Sequence, residues 1–277
     1  MNILSAIIWD ASPDIFSFEI PFIERTLTIR WYGLLFASGF LVGQYIMLKI
    51  FKAEGKPEKD IDALTLYMIV STLVGARLGH CLFYQPDFYL ANPIEILKVW
   101  EGGLASHGAT IGILLGLYLY SRSRPDQSYL WVLDRIVIVV ALGGAFIRLG
   151  NLFNSEIVGL PTELPWGFVF VKLNEDFARH PAQLYEAISC VFLFLFLLWM
   201  WSKTKEKTPE GRLFGLFVVI LFSLRIFYEF LKENQVDFEN GLPLNMGQIL
   251  SIPMVFVGLW VLIRSTRNKA ENKALPN

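Results

Sequence analysis

The chain has 277 residues, of which 54% are hydrophobic and 15% aromatic, and its formal net charge at pH 7 is −1. Its mean hydropathy is +0.48, and the apolar residues occur in long blocks, which is typical of a polytopic membrane protein and argues against a soluble enzyme. The near-zero net charge excludes a large basic surface, so we expect no nucleic-acid partner. Cys81 and Cys190 lie in apolar segments without metal-ligand spacing, and we expect packing roles for both.

The first residues predict an arm outside the membrane. The opening "MNILSAIIWD" lacks the basic residues and the long apolar core of a cleavable signal peptide. The stretches "DIFSFEI" and "TLTIRW" alternate apolar and polar residues, as does "WGFVFVKL" later in the chain, and this alternation predicts short strands. We assign residues 1–26 to an extracytoplasmic N-terminal arm and residues 154–182 to an extracytoplasmic cap.

Seven apolar runs are long enough to cross a bilayer. We therefore predict an all-α polytopic membrane protein with seven transmembrane helices and a small cap of short strands. No repeat or linker divides the sequence, so a single integral membrane domain is expected over residues 1–277. The predicted spans are about 27–50, 61–84, 104–121, 130–153, 183–202, 211–231 and 246–264.

The distribution of lysine and arginine predicts the orientation. Fourteen of these residues lie in alternate connections and near the C-terminus, at 49–59, 122–124, 203–212 and 264–273. The other connections hold only Arg25, Lys98, Lys172, Arg179 and Lys232. Because basic residues concentrate on the cytoplasmic side, we predict that the N-terminus lies outside and the C-terminus inside, with residues 265–277 as a cytoplasmic tail.

Three of the arginines in the predicted spans lie at membrane depth, where each costs roughly 2.5–3.5 kcal/mol to insert. At about 1.5 Å per residue, Arg77, Arg148 and Arg225 lie about 20–27 Å from the cytoplasmic ends of their helices. One explanation is structural pairing, as between Arg225 and Glu229 one turn apart. The other is a water-accessible cavity for an anion such as phosphate, whose oxygens match the guanidinium donors. The polar residues placed in the outer half of the bilayer are Tyr32, Arg77, His107, Arg148, Asn151, Arg225 and Glu229.

The segment "RLGNLFNSEIVG" ends the fourth predicted span with polar side chains. Arg148, Asn151 and Ser155 are spaced to share one helix face. The asparagines and the glutamate could simply cap the helix end, or they could bind a substrate together with the arginine. The turn that leaves the membrane contains Asn154, Glu156 and Gly159.

The segment "GGLASHGATIGILLG" begins the third predicted span. Gly108, Gly112 and Gly116 recur every four residues, which predicts close packing against a neighbouring helix. His107 precedes this stripe and is a candidate general base, because imidazole changes its protonation near neutral pH. A hydrogen-bonded structural histidine is the alternative. The other two histidines show no metal-ligand spacing with His107, so we expect no metal site.

Seven ordered blocks of the sequence resemble those of the bacterial phosphatidylglycerol-prolipoprotein diacylglyceryl transferases. The resemblance runs from about residue 12 to residue 265, and "RLGNLFNSEIVG" is similar to the signature of that family. The blocks are "RWYGLLFASGF" (30–40), "GARLGHCLFY" (75–84), "WEGGLASHGATIG" (100–112), "RLGNLFNSEIVG" (148–159), "RHPAQLYEA" (179–187), "RIFYEF" (225–230) and "MGQILSIPM" (246–254).

The resemblance implies an enzyme of the bacterial cytoplasmic (inner) membrane that transfers the diacylglyceryl group of phosphatidylglycerol to the lipobox cysteine in a prolipoprotein signal peptide. Glycerol phosphate leaves, and this is the first step of lipoprotein maturation. Membrane lipids are further partners, and no metal or organic cofactor is required. Catalytic roles follow for His107, Arg148 and Arg225. The predicted substrate-binding residues are Tyr32, Arg77, Asn151, Asn154, Glu156, Gly159 and Glu229.

These residue types suit the implied chemistry, because arginines can hold the leaving phosphate and a base or a positive field favours the reactive thiolate. Four positions depart from the family pattern. Gly108-Ala109 stands where two glycines are usual, and Ser106 where an aromatic is frequent. Leu221 and His80 replace common tyrosines, which argues against a mechanism that needs those hydroxyls.

A transporter and a membrane protease are the two alternative functions. A small transporter of an anionic substrate would also carry ionisable residues in its spans, but it should show repeat symmetry and broken helices. An intramembrane aspartyl protease needs two aspartates, and only Asp134 is a candidate. The segment "ASHG" does not form the serine elbow of a serine hydrolase.

Overall fold

The computed structural model describes residues 6–20, 25–233 and 241–274. This part of the chain is mostly helical, and one long helix overlaps each of the seven predicted spans. Helix α3, Pro86–Ala91, is a short addition between the second and third of them. The long helices are α1 Trp31–Ala53, α2 Lys59–Phe83, α4 Ser106–Arg122, α5 Tyr129–Asn154, α6 Ala182–Thr204, α7 Arg212–Glu229 and α8 Met246–Ala274.

Five of these helices are long and apolar enough to cross a membrane, namely α1, α2, α5, α6 and α8. Helices α4 and α7 have 17 and 18 residues, slightly below the roughly 20 residues of a full span. The chain is a multi-pass membrane protein, as its composition predicts. Seven crossings and the orientation stay predictions.

The first predicted span begins too early. Residues 27–30 belong to strand β3 (Arg25–Arg30), and α1 starts at Trp31. Strand β3 pairs antiparallel with β2 (Asp14–Ile20), so that Phe18 lies opposite Leu27. The alternation of apolar and polar residues that predicted these strands is satisfied by this pairing, which holds residues 27–30 outside the helix.

A second pair of strands joins the N-terminal arm to the segment after α5. Strand β1 (Ile7–Trp9) runs parallel to β4 (Phe168–Phe170). The predicted strand in "WGFVFVKL" is therefore shorter than its pattern, because Val171–Leu173 forms a turn of 3₁₀-helix. The indole of Trp9 donates a hydrogen bond to the carbonyl of Leu152 at 3.0 Å, which attaches the arm to the end of α5.

The contacts group the chain into two compact units: Gln44–Arg135, here the central unit, and Met1–Gly43 with Ile136–Asn277, here the terminal unit. Each is described by itself. In the central unit, α2 and α4 approach closely through glycines. A Cβ on Gly112 would lie 2.9 Å from the Cα of Gly75, and one on Gly79 would lie 2.6 Å from the Cα of Gly108. The packing role predicted for the glycine stripe is confirmed.

The central unit also contains a fully buried ion pair. The guanidinium of Arg135, whose side chain is 0% exposed, donates to Glu54 at 3.2 and 2.9 Å. The Trp131 indole donates to the same carboxylate at 2.9 Å. These bonds satisfy the buried charges, as burial in an apolar surrounding requires.

In the terminal unit, α5 packs against α1 and α6 through small residues. Gly150 leaves room for Tyr32, whose ring would lie 2.7 Å from a Cβ at that position. Gly144 faces the sulfur of Cys190, which would lie 3.3 Å from an added Cβ. Both cysteines are buried and free, in keeping with the packing roles predicted for them. This packing fixes the end of α5 that carries the polar signature.

Candidate active site

The signature segment leaves α5 through a strained turn. Ser155 and Ile157 have φ values of 54° and 58°, a left-handed conformation that is uncommon for a residue other than glycine and rarer still for a β-branched one. The amide of Ser155 donates to the carbonyl of Leu152 at 3.0 Å, and that of Glu156 to the carbonyl of Asn151 at 3.1 Å. These two bonds form a Schellman motif, which ends the helix and turns the chain sharply.

This turn brings the carboxylate of Glu156 back onto the last turn of α5. Its Oε1 accepts hydrogen bonds from Asn151 Nδ2 at 2.6 Å and from Asn154 Nδ2 at 3.2 Å. Arg148 Nη1 donates to Asn151 Oδ1 at 3.3 Å. Four predicted site residues therefore form one hydrogen-bonded cluster, and the strain in the turn is maintained by these contacts.

Two buried polar atoms lie in and against the same turn. The side chain of Gln183, on α6, donates to the carbonyl of Glu156 at 2.5 Å. Its Oε1 and the hydroxyl of Ser155 are buried and have no hydrogen-bond partner among the described residues. Buried polar atoms are normally satisfied, so these two atoms are available to a water molecule or to a hydroxyl of a ligand.

Gly159 lies where three segments of the chain cross. Its amide donates to the carbonyl of His180 at 3.0 Å. A Cβ at this position would lie 2.6 Å from the oxygen of His180 and 2.8 Å from that of Leu231. Close packing therefore accounts for the glycine, and direct substrate binding by Gly159 stays a prediction.

The second predicted arginine lies on α7. Arg225 Nε is 3.7 Å from Glu229 Oε1, so the pairing expected one turn apart is present but long. Glu229 has closer partners, since Lys232 Nζ lies 3.2 Å from Oε1 and Asn245 Nδ2 lies 3.1 Å from Oε2. The terminal nitrogens of Arg225 have no hydrogen-bond partner among the described residues, and its side chain is 46% exposed.

The N-terminus of α8 holds Glu229 in place. Asn245 and Gln248 exchange hydrogen bonds between side chain and backbone at 2.9 and 3.1 Å, which is a capping box. Asn245 is thereby oriented toward the carboxylate of Glu229. Gly247 is required by the same contact, because a Cβ there would lie 2.5 Å from Glu229 Cδ.

Sequence reasoning missed two charged members of the site. Glu186, on α6, forms an ion pair with Arg148 Nε through one oxygen, and its other oxygen lies 2.5 Å from Lys232 Nζ. Glu186 lies within the block "RHPAQLYEA", and Lys232 was counted only as a basic residue of an outer connection. A carboxylate in an apolar helix, as expensive in a membrane as an arginine, was the signal that could have identified Glu186.

Tyr32 lies at the start of α1 and packs against Gly150. Its hydroxyl is within electrostatic range of Glu156 and Arg148. The structure therefore places this predicted residue beside the signature cluster.

The cap is joined to the segment after α7 by Arg179. Its guanidinium donates to both oxygens of Glu175 at 2.5 and 2.6 Å, to Glu233 at 2.5 Å and to the carbonyl of Gly159 at 3.2 Å. Hydrogen bonding to the arginine lowers the pKa of Glu175 below its ordinary value of 4.5, and the same bond raises the pKa of Arg179. Arg179 thus acts as a permanent cation that fixes the cap.

Arg77 belongs to the central unit and is buried. Its guanidinium donates to the carbonyls of Glu95, Ile96 and Gly102 at 2.6, 2.9 and 2.6 Å, and it lies 5.0 Å from the ring centroid of Tyr89. These contacts tie down the loop before α4 and occupy all three nitrogens. A substrate contact by Arg77 stays a prediction that this geometry does not favour.

His107 also lies in the central unit, in the first turn of α4, and is exposed. Its ring contacts those of Phe83 and Tyr84, with centroids 5.4 and 5.7 Å apart. Among the described residues its imidazole has no hydrogen-bond partner. The hydrogen-bonded structural role weighed from the sequence is therefore not supported by the described contacts.

Comparison with known proteins identifies the family of the chain. Residues 20–264 match the family profile described as "Prolipoprotein diacylglyceryl transferase". A relative from Chloroherpeton thalassium, named phosphatidylglycerol–prolipoprotein diacylglyceryl transferase, is 51% identical over 96% of this chain and 97% of its own. A protein of the same name from Tolumonas auensis is 46% identical over 88% of this chain and 94% of its own. Another from Porphyromonas gingivalis is 42% identical over 99% of both chains. The chain therefore belongs to the prolipoprotein diacylglyceryl transferase family.

Proposed function

We propose that this protein is a phosphatidylglycerol–prolipoprotein diacylglyceryl transferase. The thiol sulfur of a prolipoprotein cysteine forms a bond to the glyceryl carbon of the lipid, and the bond between that carbon and the phosphate oxygen breaks. The thiol loses its proton, and glycerol phosphate leaves with the bonding electrons. The products are a thioether-linked diacylglyceryl group and a soluble phosphate monoester.

The observation that carries this proposal is that the terminal nitrogens of Arg225 are available to a ligand among the described contacts. Its neighbour Glu229 is satisfied by Lys232 and Asn245. Among the described residues, the terminal nitrogens of the half-exposed guanidinium have no hydrogen-bond partner. An arginine placed in an apolar helix without a close carboxylate is expensive, and a phosphate that binds both terminal nitrogens would compensate for that expense.

Arg148 supplies the second cation. Its Nε pairs with Glu186 and its Nη1 with Asn151, which fix the plane of the guanidinium. Preorganised charge of this kind stabilises the negative charge that develops on a leaving phosphate more than it stabilises the bound lipid. Arg148 and Arg225 are thus the proposed catalytic cations.

The carboxylate of Glu156 and the polar groups around it are assigned to the glycerol headgroup. Asn151 and Asn154 hold the Glu156 carboxylate, which can accept hydrogen bonds from glycerol hydroxyls. The unpartnered hydroxyl of Ser155 lies in the same turn. Tyr32 completes this side of the site, while Gly159 and Glu229 shape it through their packing.

His107 is proposed as the base that prepares the thiol. The assignment rests on its residue type, its exposure and the family resemblance. Imidazole can accept a proton near neutral pH, and the thiolate is the reactive form of cysteine. Arg77 is given no step in this mechanism, and its predicted contact with the substrate is disfavoured by the backbone carbonyls that its donors hold.

The finer placement of the protein is also part of the proposal. The chain crosses the bacterial inner membrane seven times, with the arm and cap outside, and it accepts the lipobox cysteine of a signal peptide. A cysteine introduced at Glu163, in the cap, should react with an impermeant reagent added to intact cells, and one at Glu206 should not. The reverse labelling would overturn the orientation.

The activity is tested with purified protein, phosphatidylglycerol and a lipobox peptide. The peptide should gain the mass of a diacylglyceryl group, and a peptide with serine in place of cysteine should gain none. Absence of a mass gain with intact lipid and peptide would contradict the proposed function.

A further inference from the structure

Lys232 connects the two catalytic arginines through two buried carboxylates. Its Nζ lies 2.5 Å from Glu186 Oε1 and 3.2 Å from Glu229 Oε1. Glu186 pairs through its other oxygen with Arg148, and Glu229 lies 3.7 Å from Arg225. One ammonium group thus lies at the centre of a continuous chain of charges that ends in an arginine on each side.

The burial of this lysine distinguishes it from a surface ion pair. Its side chain is 2% exposed, and those of Glu186 and Glu229 are 8% exposed. A buried ammonium group needs partners that satisfy its charge, and the two carboxylates supply them. The arginines at the ends of the chain are more exposed, at 24% and 46%, which is where a substrate can reach them.

The backbone fixes Lys232 relative to the signature segment. It pairs with Gly159 in an antiparallel bridge, and the neighbouring Leu231 accepts a hydrogen bond from the amide of Leu160 at 2.8 Å. The backbone of the lysine is therefore fixed, and its buried ammonium group lies between Glu186 and Glu229. Its position sets where Glu186 and Glu229 lie.

The distances show what the lysine does to Glu229. This carboxylate is nearer to Lys232 than to Arg225, and Asn245 holds its second oxygen at 3.1 Å. Without the ammonium group of Lys232, the Glu229 carboxylate would move toward the Arg225 guanidinium, because a buried charge without a partner is strongly destabilising. Arg225 would then be neutralised and turned away from a substrate phosphate.

We propose that Lys232 is a positioning residue for the transfer reaction, which draws the two glutamates to itself and so leaves both arginines oriented for phosphate. This inference rests on the proposed function of Arg148 and Arg225. Lys232 does not itself touch the reacting atoms. It acts on binding of the lipid phosphate and not on binding of the peptide.

The test compares Lys232→Met, Lys232→Gln and Lys232→Arg with the parent protein, and Lys172→Met in the exposed part of the cap serves as the control. Purified proteins are assayed for phosphatidylglycerol-dependent transfer at varied lipid and varied peptide concentrations. Loss of a partner that orients a metal ligand typically lowers activity about 10- to 100-fold, and we take the same scale for a partner that orients an arginine. We expect a decrease of that order in kcat/KM for the lipid with Met or Gln, and an unchanged KM for the peptide.

Lys232→Arg should restore kcat/KM to within a few-fold, since arginine keeps the charge and can bind both carboxylates. A folded Met or Gln variant with full activity would overturn the inference, as would an equal rise in the KM of both substrates. If neither neutral variant accumulates while Lys232→Arg does, the lysine is a structural charge and the positioning role is wrong. Failure of the parent protein to transfer lipid would instead reject the proposed function.

Discussion

Arg225→Lys separates a phosphate ligand from a structural charge. The side chain of Arg225 is 46% exposed, and its only described ionic contact is 3.7 Å long. An exposed contact of this kind contributes about 0–1 kcal/mol. The substitution should therefore leave the free energy of unfolding almost unchanged, and the inserted protein should accumulate normally.

The effect on transfer should be much larger. Lysine keeps the positive charge but replaces the planar pair of terminal donors by a single ammonium group. A hydrogen bond to a charged group contributes about 1.5–3 kcal/mol, and about 1.4 kcal/mol corresponds to a tenfold change in rate. Losing one bond to the phosphate in the transition state should lower kcat/KM by about 10- to 150-fold.

Arg135→Lys is the matched control. Arg135 is fully buried and makes two hydrogen bonds to Glu54, so this substitution should lower the midpoint of thermal unfolding. Its kcat/KM per folded molecule should stay near that of the parent. The assay measures unfolding and phosphatidylglycerol-dependent transfer on the same samples. The reasoning is refuted if Arg225→Lys keeps kcat/KM within about twofold of the parent, or if both substitutions lower it equally in folded protein.

Three further predictions concern other parts of the site. His107→Gln should lower the rate steeply near pH 7 and less near pH 9.5, because a free thiol with a pKa of about 8.5 ionises unaided at the higher pH; a mutant-to-parent rate ratio that is flat with pH would remove the base role. Gly247→Ala should destabilise the protein by about 1–3 kcal/mol, measured by thermal unfolding, because its Cβ would lie 2.5 Å from Glu229 Cδ; an unchanged unfolding midpoint would contradict this packing. Because the pKa of Glu175 is lowered, its bond to Arg179 stabilises the protein above pH 4.5, and this stabilisation is lost as the pH falls through the lowered pKa. Glu175→Gln should therefore flatten the loss of thermal stability below pH 4.5. Identical pH profiles of the variant and the parent would reject this contribution.

Much of the helical architecture follows from hydrophobic run length alone. A run of apolar residues predicts a helix wherever it is long enough, and one long helix overlaps each predicted run. The start of α1 could not be read this way, because residues 27–30 are apolar enough for a span but are paired with β2. Local composition does not contain that long-range pairing.

The candidate site was predictable in its residue types and less so in its connections. The spacing of Arg148, Asn151 and Ser155 suggested a shared face, and the structure joins Arg148 to Asn151 by a hydrogen bond. The buried hydroxyl of Ser155 has no hydrogen-bond partner among the described residues. The roles of Glu186 and Lys232 depend on contacts between α6 and the segment after α7, far apart in sequence. Neither the pattern of apolar residues nor the depth of a residue in its span could reveal a contact between segments so far apart in the sequence.

Arg77 shows a different limit. Depth within a helix indicates that an arginine needs partners, but it does not distinguish a ligand from backbone carbonyls. The structure supplies carbonyls from residues 95–103, which come from a loop with no charge signal of its own. The sequence indicated that burying Arg77 in a span is costly, but the carbonyl groups that offset this cost could be identified only from the fold.

The central claim is that the bond between carbon and phosphate oxygen breaks while the lipid backbone moves to sulfur. It is tested most directly with phosphatidylglycerol that carries one label in the glycerol headgroup and another in the diacylglyceryl portion. The account predicts that the diacylglyceryl label appears on the peptide cysteine and that an equal amount of headgroup label appears as soluble glycerol phosphate. Release of the headgroup label as free glycerol, which would mean that phosphorus moved to the peptide, would contradict it. Release of headgroup without labelling of the peptide would contradict it as well.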